Sequence, residues 1–80
     1  MAIRDEVFEY IADILGGGDV RVEDVTLDTS FADDLGLDDR AMVLPVNMVH
    51  ERFGVKMDDD IVDGFKTVGD MVDYVVTHYE

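Results

Sequence analysis

The chain contains no cysteine, which excludes disulfides and thiolate-bound metal centres. It has no tryptophan, a single proline (Pro45) and a single serine (Ser30). Basic residues are scarce: six Lys and Arg stand against twenty Asp and Glu, for a formal net charge of -14. Nucleic-acid binding is therefore unexpected, because phosphate contacts draw on Lys and Arg. No apolar run approaches the roughly 20 residues that span a bilayer. The N-terminal MAIRDEVFEY is charged in its first turn and lacks an apolar h-region, so a secretory signal is not expected. A cytoplasmic, monomeric protein is the expectation.

What is present is a well-stocked core. Hydrophobic residues make up 48% of the chain, too many for an acidic disordered tail. Eighty residues suit one small domain spanning 1–80, burying roughly 60% of the surface its unfolded form exposes. The acidic excess reads either as a self-repelling, solvated surface or as a field that steers a basic partner surface into place.

Apolar residues recur at helical spacing in three long segments. In residues 2–15, Ile3, Val7, Ile11 and Ile14–Leu15 form one stripe, with Asp5 and Glu6 favourably placed in the first turn. Gly16, Gly17 and Gly18 are expected to end this helix in left-handed conformation. Phe8 and Tyr10 lie off the stripe and are expected to be partly covered by the following loop. Residues 19–37 read as a long loop anchored by Val22, Val25, Leu27 and Phe31, because a lone strand cannot make a sheet. Loops of this length are often functional.

In residues 39–53, Met42, Val46, Val49 and Phe53 fall on one face, and Gly54 supplies the stop. Pro45 interrupts this run. Either the helix kinks between 41 and 45 or it begins at Pro45; the kink is preferred, since Met42 keeps the apolar register. Residues 58–65 read as a short helix with an acidic first turn. Residues 67–79 read as the last helix, with Thr67 as N-cap, a loose capping box through Asp70, and Val68, Met71–Val72, Val75–Val76 and Tyr79 on its apolar face. The sum is an all-α fold: a four-helix bundle with three main helices, one short helix and a long first loop.

The densest stretch is 31–53, FADDLGLDDRAMVLPVNMVHERF, in which an acidic turn closes on Gly36 and a helix follows. The run Asp34-Leu-Gly-Leu-Asp38 before a helix resembles the attachment site of acyl carrier proteins. The later stretch ERFGVKMDDDIVDGFKTVGDMVDYV carries further likeness, in the order Phe53, Val55, Phe65-Lys66-Thr67-Val68 and Asp73-Tyr74-Val75. The resemblance implies the helical bundle, the long first loop, and a serine directly after the second aspartate that bears a 4'-phosphopantetheine arm. Here Asp39 and Arg40 follow instead. A carboxylate offers no hydroxyl for a stable phosphodiester, so no cofactor is expected at Asp39. Its charge suits a helix start, which leaves capping as the plainer role.

Ser30 is a weaker substitute site, since no long helix is expected to follow it. Members of the family present acids along the second helix, for docking on basic enzyme patches. Here that face is expected to show Asp38, Arg40, Val43, Leu44, Asn47 and Met48, together with His50 and Glu51. An exposed Val43–Leu44–Met48 strip is a candidate protein contact, unless the Pro45 kink turns it inward. Several departures around one site point to natural divergence rather than one engineered change.

Enzymatic readings lack support. His50 and His78 have no neighbouring nucleophile and no ligand spacing. The acids at 33, 34, 38 and 39, or at 58–60, do not match an EF-hand, and weak ion binding is expected there rather than a dedicated metal site. The leading expectation is a carrier-like docking protein for biosynthetic enzymes such as a ketosynthase, in a fatty-acid or polyketide-type pathway. Alternatives are a conventional carrier locked in its apo form, and an acidic metal- or pH-responsive interaction domain.

Overall fold

The computed structural model describes residues 3–17 and 20–79. Four helices follow in order: α1 (Ile3–Leu15), α2 (Asp39–Phe53), α3 (Asp59–Asp63) and α4 (Val68–His78), with one 3-10 turn at Val22–Asp24 in the first loop. There is no strand among the described residues, and the bundle is the one the apolar periodicities predict. No described helix is long and apolar enough to cross a membrane.

One buried cluster joins the elements. Val7 and Ile11 of α1, Met42, Val46, Val49 and Phe53 of α2, and Val68, Met71, Val72 and Val75 of α4 all enter it. The periods of three and four that marked each stripe put these side chains on single faces, which then bury against one another. Burying each large apolar side chain contributes roughly 1.5–3 kcal/mol before conformational entropy opposes it. The helix α1 packs chiefly on α4 and secondarily on α2.

The aromatic residues settle differently from expectation. Tyr10 is half-buried against α2 rather than under the loop, meeting Phe53 edge-on at 5.6 Å and donating its hydroxyl to the Met48 carbonyl at 3.4 Å. Tyr79 lies just past α4 and is exposed, touching only the margin of the core through Phe53. The α1 stop is also simpler: Gly17 has positive φ (130°) and Gly16 does not, while Gly18 lies outside the described residues.

The long loop is held by backbone bonds to the start of α4. Leu27 O accepts from Gly69 N (2.8 Å), Thr29 O from Val68 N (2.9 Å), and Lys66 O from Phe31 N (3.1 Å). The first two satisfy amides of the first turn of α4 that no intrahelical carbonyl can reach. Gly69 is what permits this approach, since a Cβ there would stand 2.9 Å from the Leu27 carbonyl oxygen. The expected apolar anchors divide accordingly. Val25 and Phe31 are buried, whereas Val22 and Leu27 are 42% and 37% exposed. Leu27 anchors through its carbonyl, not its side chain.

Candidate functional site at the start of helix α2

Ser30 opens a single helical turn over residues 31–35. Its hydroxyl accepts from Asp33 N (3.0 Å), while its own amide donates to Asp34 Oδ2 (2.7 Å), a reciprocal cap. The turn closes on Gly36, whose φ of 65° is left-handed, and Leu37 N returns to Phe31 O at 2.8 Å. The only serine is thus occupied in building the turn that precedes α2. The local signal for this cap is the run Ser30-Phe31-Ala32-Asp33-Asp34.

Asp38 is the N-cap of α2, its Oδ1 accepting from Ala41 N at 2.8 Å. Asp39 is therefore the first helical residue and not the cap. It is exposed at the positive end of the helix dipole, where a negative charge contributes roughly 0.3–1 kcal/mol. The amides of Asp39 and Arg40 have no protein acceptor among the described residues. Position 39 thus has the exposure and the helix-end setting suited to an anion.

The helix continues unbroken through Pro45 to Gly54, which ends it at φ 74°. A restart at Pro45 does not occur. The proline ring faces the core and is buried, and the strip beside it stays outside: Val43 is 56% and Leu44 65% exposed. Arg40, Asn47, His50 and Glu51 are exposed with them, and Met48 is half-buried. The inward turn of this strip is not seen.

A groove between α2 and α3 begins at Asp39. It encloses about 330 Å³ and is lined by Asp39, Arg40, Val43, Asp59, Val62 and Asp63. An adjoining smaller pocket shares Asp39, Val43, Asp59 and Val62 with it and adds Met42, Val46, Asn47 and Met57. Of the acids at 58–60, Asp58 precedes α3 and Asp59 lines the groove, while Asp60 does not. Val62 and Asp63 were not singled out in the sequence, and Asp59 only within the acidic run 58–60, because their proximity to Asp39 arises only when α3 folds across α2. Among the described residues no three His, Asp or Glu side chains converge in a metal-binding arrangement. His78 stacks on Tyr74 at 4.0 Å and its Nδ1 lies 2.9 Å from the Tyr74 carbonyl, while His50 is solvated.

A helical bundle with a long pinned loop and an anion-ready second helix is the arrangement expected from the carrier resemblance of the sequence. Residues 5–75 match the family described as phosphopantetheine attachment site. The acyl carrier protein of Clostridium perfringens (strain 13 / Type A) is 37% identical over 76 residues, spanning 95% of this chain and 96% of the relative. That of Acidothermus cellulolyticus is 40% identical over 73 residues, covering 90% and 87%, and that of Renibacterium salmoninarum 38% over 78 residues, covering 96% of each. The chain belongs to the acyl carrier protein family, whose members are carriers and not enzymes. Membership displaces the reading of an unrelated acidic bundle.

The residues at the attachment position do not fit the family's prosthetic group. The arm needs an oxygen nucleophile that leaves a stable phosphodiester. Asp39 offers a carboxylate, whose phosphoryl product would be a hydrolysable mixed anhydride. The neighbouring Arg40 offers none.

Proposed function

We propose that this chain is a carrier-fold docking protein of a fatty-acid or polyketide-type pathway, acting in the cytoplasm, that accepts no phosphopantetheine at residue 39. The observation that carries the reading is the exposed Asp39 carboxylate at the first helical position of α2, within an otherwise intact attachment frame. Gly36 and Asp38 hold the frame, so the surface presented to a partner enzyme such as a ketosynthase is retained without the arm. Asp38, Arg40, Val43, Leu44, Asn47 and Met48 are the residues assigned to that contact.

The same intact frame favours one second reading, a conventional carrier whose serine has been replaced and whose loading surface still works. Intact-mass measurement after incubation with coenzyme A and a broad-specificity phosphopantetheinyl transferase separates the two. The native chain keeps its mass, since Ser30 is engaged in its turn and Asp39 has no hydroxyl. Asp39→Ser stays largely unloaded if Arg40 and Leu44 have remodelled the recognition surface, and loads fully if only the serine was lost. Mass gain by the native chain would overturn both readings.

A further inference from the structure

The helix α2 (Asp39–Phe53) carries two acids, Asp39 and Glu51, and two bases, Arg40 and Arg52. The chain's net charge of -14 therefore lies wholly outside it. This neutral helix also bears the two most exposed large aliphatic side chains among the described residues, Val43 and Leu44. Arg40, Leu44, Asn47 and Glu51 follow one another at steps of four, three and four, so they form one line along the helix. That line lies opposite the face buried through Met42, Val46, Val49 and Phe53. The ion pairs among the described residues are Arg4–Asp73 and Arg21–Glu23, so Arg40 and Glu51 have no charged partner there.

The pattern is self-complementary. Arg40 and Glu51 lie about three turns apart, and the midpoint between them coincides with the midpoint between Leu44 and Asn47. A twofold axis through that midpoint, perpendicular to the helix, sets two copies of α2 antiparallel. It brings Arg40 of each copy opposite Glu51 of the other and Leu44 of each beside Asn47 of the other near the centre, with Val43 and Met48 on the flanks. An isologous interface requires this matching of a patch with itself. A partner presenting a purely basic surface finds no net charge on α2 to meet.

We propose that a second copy of the chain covers this face whenever no partner enzyme does, in a weak antiparallel dimer through α2. One face of a 15-residue helix buries less than the ~1,200 Å² of a standard interface, which makes the association transient. Repulsion between two acidic bodies opposes it at low ionic strength. Screening shortens from about 30 Å at 0.01 M salt to about 8 Å at 0.15 M, so added salt favours the dimer, contrary to docking on a basic partner. The monomer expected from the charge is the dilute, low-salt form. The proposal is independent of the chemistry at residue 39, and covalent loading reports nothing about it.

Sedimentation equilibrium of the full chain, from micromolar to millimolar at low and high salt, tests it. The expected result is a monomer–dimer equilibrium at least roughly tenfold tighter at high salt. Arg40→Glu alone, Glu51→Arg alone and Leu44→Asp each weaken association about tenfold or more, a loss the size expected for a close ion pair or a central apolar contact. Arg40→Glu combined with Glu51→Arg restores it, because the exchanged charges again oppose each other. Thermal melts of each variant at high dilution separate loss of association from loss of fold. A native chain that stays monomeric at millimolar concentration in high salt overturns the proposal. So does a double exchange no tighter than the single changes.

Discussion

Asp70 ties the last helix to the segment before it through one oxygen. Its Oδ2 accepts from Lys66 N (2.9 Å) and Thr67 N (3.1 Å), while Asp70 N donates to the Thr67 hydroxyl (3.3 Å). The Lys66 amide, then the Thr67 amide, hold its carboxyl below the usual carboxylate range, with slight burial opposing them. A carboxylate whose folded pKa is depressed lends stability above its unfolded pKa of about 3.9, and loses it as pH falls through the folded value. Asp70→Ala is expected to lower stability at neutral pH by about 1 kcal/mol, the usual worth of a capping group. The gap between variant and native chain should narrow below roughly pH 4, as the native carboxylate protonates. Urea titrations at several pH values measure it, and a gap independent of pH would mean the cap acts without its charge.

At the scale of the element, α2 sets a local rule against its tertiary role. Pro45 removes an amide that Ala41 O would otherwise receive and crowds that carbonyl, at a cost of about 3 kcal/mol in a helix interior. The helix persists because its apolar face, Pro45 included, is buried. Pro45→Ala is expected to raise stability by about 1 kcal/mol, since relief of the roughly 3 kcal/mol helix-interior cost outweighs the roughly 1–2 kcal/mol of lost ring burial. An upward shift in urea midpoint at unchanged slope is the expected reading, and a downward shift would assign the larger share to ring packing. The α2 register was legible in the sequence because Met42, Val46, Val49 and Phe53 obey a local period. The loop was legible only as a loop. Its bonds run from Leu27 and Thr29 to Gly69 and Val68, forty residues or so away in the chain, and no local pattern encodes a carbonyl's distant partner. The site divides in the same way. Asp39, Val43 and Leu44 could be placed from helix phase, whereas Asp59, Val62 and Asp63 join them only through the fold of α3 over α2.

For the molecule as a whole, charge opposes compaction. Twenty acids share a surface with six bases, and the two ion pairs among the described residues are both solvent-exposed. Exposed pairs contribute at most about 1 kcal/mol each, so they do not offset the accumulated repulsion. Folding brings these acids closer than they stand in the expanded chain, so screening should lower the free energy of the folded state more than that of the unfolded one. Salt or millimolar Mg²⁺ is accordingly expected to raise Tm. A relief of 1 kcal/mol moves Tm by roughly 4–8 °C in a domain of this size, so an effect of that order is readily measured. Melts at high dilution, followed by circular dichroism, keep self-association out of the comparison. Screening also weakens Arg4–Asp73 and Arg21–Glu23, which sets the direction of the opposing effect. A Tm that falls with salt would mean those two pairs outweigh the excess acids, and the net charge would then have little bearing on the fold.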